Sequence, residues 1–274
     1  QPPMPPQRVT PHDGSIDSAV LLGGGLGGWP VPVAPFDNFG AALAGVGDVD
    51  NDSVADMAVG AYGVRGARGA VYMALLNRTG AVRSVTTIGA ETLPLARYDF
   101  FGASLASAAD LDGDSMPDDL GLRCLVVGAP GDDGEAGQRT GAVYVVFLTS
   151  EGGIRPSFVK LSNRSASQHA SVQLPLEAYS EFGRSVALFV PTQPHPESGS
   201  RVRRIEIAVG APLADDESGA VYLITLELNL PDVSSISMSA SLIGMSRLTA
   251  EAPRPSERFG SALAWMPDRE IDGF

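Results

Sequence analysis

The feature that most restricts this chain is a repeated phrase: Phe-Gly, an aspartate-dense stretch, Gly-Ala-(Pro/Tyr), then Gly-Ala-Val-Tyr. The first copy runs through Asp37-Asn38-Phe39-Gly40-Ala41-Ala42-Leu43, a loop at residues 48–56, Met57-Ala58-Val59-Gly60-Ala61-Tyr62 and Gly69-Ala70-Val71-Tyr72. The second runs through Asp99-Phe100-Phe101-Gly102-Ala103-Ser104-Leu105, a loop at residues 110–118, Leu125-Val126-Val127-Gly128-Ala129-Pro130 and Gly141-Ala142-Val143-Tyr144. A third keeps Glu181-Phe182-Gly183, Ile207-Ala208-Val209-Gly210-Ala211-Pro212 and Gly219-Ala220-Val221-Tyr222 without the acidic loop, and a fourth opens at Arg258-Phe259-Gly260-Ser261-Ala262-Leu263. The steps between the phenylalanines are 62, 81 and 77 residues, so length varies in loops while the strand phrases hold constant. A unit of this size cannot bury its apolar face alone. It has to stack on copies of itself, as solenoid and propeller modules do.

Within each unit the period is that of β structure. Val71, Met73 and Leu75 can face one side and Tyr72, Ala74 and Leu76 the other, while Val143-Tyr144-Val145-Val146-Phe147 is apolar on both faces, as a strand between two layers would be. Arg83-Ser84-Val85-Thr86-Thr87-Ile88 and Phe158-Val159-Lys160-Leu161 read as outer strands. Short intervening loops predict four antiparallel strands per unit, and packing such sheets radially protects their edges. Gly40, Gly102, Gly183 and Gly260 each follow a phenylalanine, which predicts a bulky anchor entering the space between sheets beside a backbone that comes close or takes φ > 0. The expected fold is all-β: a β-propeller, or a segment of one, with three full four-stranded units and partial units at both ends. The units are placed at about residues 36–97, 98–178 and 179–256, with partial units at 13–35 and 257–274. Ala19-Val20-Leu21-Leu22 is the buried-strand candidate of the first partial unit. Residues 1–12, rich in proline, read as an extended tether ahead of a propeller domain at 13–274.

The acidic loops carry the chemistry. Asp48, Asp50, Asp52 and Asp56 occupy relative positions 1, 3, 5 and 9 of the first loop, and Asp110, Asp112, Asp114 and Asp118 the same positions of the second. Four carboxylates from one tight turn, with the carbonyl of Val54 or Met116 at position 7, make the hard oxygen cage that calcium prefers; magnesium demands a smaller octahedron, and no nitrogen or sulfur ligand offers zinc a foothold. Strands flank the loops where an EF-hand needs helices. The bland alternative is a hydrophilic hairpin whose aspartates cap their own turns, though crowding four like charges into nine residues twice would be costly without a counter-ion. Two calcium sites are therefore expected. Asp268, Glu270 and Asp272 could begin an incomplete third at positions 1, 3 and 5. The third unit has Pro191-Thr192-Gln193-Pro194-His195-Pro196 in the corresponding region and no cage, which makes calcium a local staple rather than a catalytic centre.

Composition narrows the partners. With 32 acidic against 19 basic residues the net charge is -13, which disfavours nucleic acid and anionic membrane. No stretch of 18 to 20 apolar residues encodes a membrane span, so direct membrane insertion is not expected. The chain opens with neither a methionine nor a basic-apolar signal, which fits a processed or excised piece. Cys124 is the single cysteine and reads as a buried thiol, so packing and ions, not disulfides, must hold the scaffold. The basic run Arg201-Val202-Arg203-Arg204 reads as a solvated hairpin flank, or as a contact point for acidic glycan or another copy of this acidic chain.

The combined phrases Phe39-Gly40, the loop at 48–56, Gly60-Ala61 and Gly69-Ala70-Val71-Tyr72, with their second-copy equivalents, resemble FG-GAP repeats. These are the blades of the integrin α-subunit propeller, also found in bacterial and algal surface proteins. The resemblance extends from about residue 36 to residue 274. It implies a β-propeller with calcium in inter-strand loops near one rim, held by the two aspartate sets, and extracellular adhesion or matrix contact as the commonest use. Departures are visible: integrin-type propellers have seven blades, and Ser53 and Ser115 stand where the family more often has glycine. Residues 257–274 and 13–35 either complete a compact ring jointly or belong to something longer.

Asn77-Arg78-Thr79 and Asn163-Arg164-Ser165 match the N-glycosylation sequon; Asn51-Asp52-Ser53 also matches but lies inside a metal loop. Millimolar extracellular calcium keeps weak cages filled where resting cytosol does not. The expected role is a calcium-stabilised module at the cell surface or outside the cell, contacting protein, glycan or other copies of itself. The rival is a calcium-dependent polysaccharide-processing enzyme, which needs a base and an electrophile at one cleft. His12, His169 and His195 all sit in polar or proline-containing connections, with no Ser-His-Asp phrase around them, so no catalytic residue is expected.

Overall fold

Each Phe-Gly phrase leads into a sheet. The computed structural model describes residues 19–108, 123–133, 138–163, 170–190, 202–229, 236–244 and 257–264. The first sheet is β1 (Phe39–Gly47), β2 (Asp56–Ala61), β3 (Ala70–Leu76) and β4 (Val82–Gly89) in that order, all antiparallel. The second is β5 (Ser104–Ala108), β6 (Cys124–Ala129), β7 (Ala142–Leu148), β8 (Ile154–Ser162) and β9 (Ala170–Gln173). The third is β10 (Ser185–Phe189), β11 (Val202–Ala211), β12 (Ala220–Asn229) and β13 (Ile236–Gly244). The expectation of four antiparallel strands per unit needs one correction: β9 is a fifth strand and runs parallel to β8, pairing Val159 with Ala170. A parallel partner needs a crossover, and the 81-residue second repeat has the extra length to supply one.

Strand β1 lies against β5 and β5 against β10, so the first strands of the three sheets adjoin. The alternation read from sequence sorts side chains into the layers between sheets. Val71, Met73 and Leu75 enter the layer shared with the second sheet, and Tyr72, Ala74 and Leu76 the opposite layer. On β7, Tyr144, Val146 and Leu148 face the first sheet while Val143, Val145 and Phe147 face the third. Both faces of β7 are dry, which is why its sequence lacks a polar period. The three sheets have the form of propeller blades, and no closure of them into a ring is seen among the described residues.

The junctions explain the repeated glycines. At Gly60, Gly128 and Gly210 an added Cβ would lie 2.2, 2.0 and 1.9 Å from the carbonyl oxygens of Gly102, Gly183 and Gly260 in the next repeat. At Gly69, Gly141 and Gly219 it would lie 2.0, 2.1 and 2.2 Å from the carbonyls of Phe101, Phe182 and Phe259, each pair joined by a parallel bridge. Backbone therefore meets backbone at every junction, a distance only glycine permits. Phe101 and Phe182 are fully buried there, edge-on to Tyr144 and Tyr222 with ring centroids 5.4 and 5.2 Å apart. Ser104 Oγ and Ser185 Oγ donate to the Gly183 and Gly260 carbonyls at 2.8 and 2.7 Å. The first junction has Ala42 at this place and lacks the hydroxyl.

On the outer face of the first sheet Trp29 packs edge-on to Phe39 and Tyr72, with centroids 4.6 and 5.7 Å away. The strand expected at residues 19–22 does not form: Val20 and Leu21 are exposed, and the segment makes only an isolated bridge between Gly23 and Leu26. Five glycines follow it, and they favour turns over ladder pairing. The burial expected of this segment falls instead on Trp29. No helix among the described residues is long and apolar enough to cross a membrane.

Candidate metal centre

The turn between β1 and β2 gathers three of its aspartates. Carboxylate oxygens of Asp48, Asp50 and Asp56 all lie within 4.8 Å of one another. Asp48 accepts from the backbone N–H groups of Asp52 and Ser53 at 3.0 and 2.8 Å, which closes the turn. Asp56, buried at the start of β2, accepts from Val49 N at 2.8 Å and from Leu76 N, at the end of β3, also at 2.8 Å. One side chain thus ties the loop to the neighbouring hairpin. Burial pushes the Asp56 carboxyl above its ordinary range; the two N–H donors oppose that shift, and the charges of Asp52 and Asp48 reinforce it. Asp50 has a buried Oδ1 with no hydrogen-bond partner.

These features suit a hard divalent cation. Calcium–oxygen distances of about 2.3–2.6 Å put ligands on opposite sides of the ion about 4.6–5.2 Å apart, so donors spread over 4.8 Å can surround one ion. The donors are all oxygen, one is otherwise unsatisfied, and a dication would offset the burial and the neighbouring charges that lift Asp56. Among the described residues this is the one such cluster of three.

Not every expected ligand joins it. Asp52 stands outside the mutually close set; its Oδ1 accepts from Val54 N at 2.9 Å and its Oδ2 faces Arg83 Nη1 at 3.3 Å. Asn51 and Ser53 take φ of 59° and 67°, so Ser53 occupies a left-handed position, the conformation that glycine adopts most readily. The second set, Asp110, Asp112, Asp114, Met116 and Asp118, lies outside the described residues, as do Asp268, Glu270 and Asp272.

Two residues at the site were missed from sequence. Arg83 on β4 pairs with Asp50, and Arg123, just before β6, reaches Asn51 Oδ1 with its Nη2 at 3.4 Å, linking the loop to the second sheet. Neither lies near the loop in the chain. Three exposed aromatics were also missed. Phe36, Tyr98 and Tyr179 stand three residues ahead of Phe39, Phe101 and Phe182; they are 90%, 56% and 57% exposed and take φ of 70°, 69° and 62°. Aligning the repeats on Phe-Gly would have revealed the aromatic at this position. Because β1 leads away from Phe39 toward the aspartate loop, the aromatics and the metal cluster occupy opposite rims.

No histidine is among the described residues, and no nucleophile–base pair or cofactor-binding motif occurs among them. Cys124 is fully buried, and desolvation pushes its thiol up to about 12. Lys160 Nζ and Asp132 Oδ2, 2.5 Å apart, form a buried ion pair beside the Tyr144 ring and serve packing. Arg203 and Arg204 of the basic run lie at the start of β11, beyond its pairing with β10; Arg204 is exposed and pairs with Glu206 at 3.1 Å.

Stacked antiparallel sheets with an aspartate turn at one rim define a repeat module of the kind the Phe-Gly phrases suggested. Comparison with known proteins gives a distant, partial match to integrin α subunits. Over 99 residues the chain is 39% identical to mouse (Mus musculus) integrin alpha-X, covering 35% of this chain and 8% of that protein. It is 40% identical over 100 residues to mouse integrin alpha-M, with the same shares. Against chicken (Gallus gallus) integrin alpha-V it is 36% identical over 138 residues, 48% of this chain and 12% of that protein. The chain thus matches about a tenth of the length of these relatives. No protein-family model matches it.

Proposed function

We propose that this chain is a calcium-stabilised extracellular module for structural or adhesive contact, built as a β-propeller or a segment of one. The observation that carries the reading is the Asp48, Asp50 and Asp56 cluster, a set of hard oxygen donors on a turn that β3, β4 and Arg123 just ahead of β6 all touch. Calcium at this turn supplies charge neutralisation and a rigid crosslink. Asp56 holds the loop to β3 through Leu76 N, and Asp48 shapes the turn through its two backbone bonds. The Val54 carbonyl completes the expected set, and the loop at 110–118 repeats it in the second unit.

The contact face in this proposal is the aromatic rim. A bulky residue held at positive φ is strained, and here the strain recurs at Phe36, Tyr98 and Tyr179, each exposed. Around the second of these, Arg97 lies 5.6 Å over the Tyr98 ring and Arg139 5.6 Å over Phe100. Rings and guanidinium groups together suit an extracellular protein or a glycan, another copy of the chain included. The opposite rim carries the exposed sequon at Asn77, whose Oδ1 accepts from Thr79 Oγ1 at 2.6 Å, so a glycan there leaves the aromatic rim clear. The second sequon begins at Asn163 and continues outside the described residues.

Calcium titration of the metal-stripped chain by calorimetry, with D50A and D112A alongside, tests the first half: two saturable sites, each lost with its own variant, are expected. A folded sample with no calcium-specific binding would sink it. For the second half, beads coated with the parent chain or with Tyr98→Ser/Tyr179→Ser are compared for adhesion to extracellular matrix. Equal adhesion would remove the aromatic rim from the proposal.

A further inference from the structure

The aspartate turn already faces a cation supplied by the chain. Arg83 Nη2 lies against Asp50 Oδ2, and its Nη1 is 3.3 Å from Asp52 Oδ2. The acid is shielded and the base is not: the Asp50 side chain is 12% exposed and that of Arg83 50%. The arginine reaches the turn through an irregularity in its strand. Leu75 pairs with Ser84 and Leu76 with Val82, so Arg83 is the extra residue of a bulge, and a bulge re-aims the side chain it carries.

The second repeat also has a register shift in its β7–β8 pairing. Between β7 and β8 the register shifts between Val146, paired with Phe158, and Leu148, paired with Ile154; Arg155 follows Ile154 as Arg83 follows Val82. In the third repeat β12 and β13 pair without a shift from Ala220 to Leu228, and residues 229–236 contain no arginine. That repeat is also the one without an aspartate loop. Within one chain, the irregular hairpin, its arginine and the acidic loop are present together twice and absent together once.

We propose that Arg83 is the resident counter-ion of the first aspartate turn: it holds Asp50 and Asp52 when metal is absent and competes with calcium for Asp50 when metal is present. The inference rests on the calcium reading above. The Arg83 side chain is half exposed, so it can leave the turn without unfolding β4, and its departure frees a carboxylate whose other oxygen is already unsatisfied. The arginine lowers calcium affinity at the turn and stabilises its metal-free form, so the turn does not stand as four bare carboxylates at low calcium.

The test uses the whole chain in a D112A background, so that the first turn alone titrates. Calcium binding is measured by calorimetry for the parent, R83M and R83K, with D50A as the loss control, and thermal unfolding is followed in chelator. Removing one half-exposed charge from beside a divalent ion should tighten calcium binding about tenfold in R83M. R83K, which keeps the charge, should stay within about threefold of the parent. R83M should melt lower than the parent without metal. Calcium binding to R83M with equal or weaker affinity, or R83K tightening as much as R83M, would overturn the role of Arg83 while leaving the calcium site intact. Absence of binding in both the parent and R83M would sink the calcium reading itself, and this inference with it.

Discussion

Gly128→Ala should be the most damaging small substitution at the middle of the stack. Its Cβ would lie 2.0 Å from the Gly183 carbonyl oxygen and 2.2 Å from Ser104 Oγ, against ordinary carbon–oxygen contact beyond 3 Å. The third sheet would have to retreat by more than an ångström or Ser104 would have to turn away. Either response breaks the 2.8 Å bond from Ser104 Oγ to Gly183 and leaves a buried carbonyl short of a partner. Overpacking costs about 1–3 kcal/mol and an unsatisfied buried acceptor about 1–3 kcal/mol, so a loss of about 2–6 kcal/mol is expected. The apt control is Gly45→Ala on β1, where an added Cβ meets nothing within 4 Å and φ is not positive. That change should be neutral or slightly stabilising, by a few tenths of a kcal/mol, through reduced freedom of the unfolded chain. Both variants would be unfolded in urea at fixed calcium, following intrinsic tryptophan fluorescence and far-ultraviolet circular dichroism together. A Gly128→Ala unfolding free energy within about 1 kcal/mol of the parent, or a Gly45→Ala loss as large as that of Gly128→Ala, would refute the backbone-contact account of the repeated glycine.

Ala42→Ser should supply the first junction with the hydroxyl that Ser104 and Ser185 give the other two, and stabilise the fold by about 1 kcal/mol in the same urea assay. Lys160→Met should leave the Asp132 carboxylate buried without its cation and cost about 3–5 kcal/mol; the pair's side chains are only 13% and 8% exposed. Asp99 gives a pH test. Burial holds its carboxyl at about 6, above the unfolded value near 3.8, so its contribution to stability is fully present below pH 4 and is lost as pH rises through 6. Asp99→Asn abolishes that loss: in melts from pH 3 to pH 8 its stability relative to the parent should rise between about pH 4 and 6 and then level off. A pH-independent difference would refute the assignment.

The number and order of the sheets were legible because the repeat registers backbone needs. A Gly-Ala-Val-Tyr phrase must start a strand whose glycine meets the next repeat's Phe-Gly backbone, and that constraint survives loop changes of almost twenty residues between repeats. The aspartates at 48, 50 and 56 were legible for a related reason, since a turn of nine residues gathers what it carries. Asp52 stands outside that close set, its two oxygens facing Val54 N and Arg83.

What the sequence by itself determined was local: strand phrases of period two, glycines where backbones meet, and a turn dense in carboxylates. Tertiary structure decided what those local pieces face. It placed Arg83 beside Asp50 from a bulge in β4, set Trp29 instead of residues 19–22 against the outer face of the first sheet, and left Phe36, Tyr98 and Tyr179 outside any core. Periodicity and spacing record contacts made within a few residues along the chain. Contacts between distant segments depend on how the sheets stack, and no spacing in one strand encodes the strand that will pack across from it.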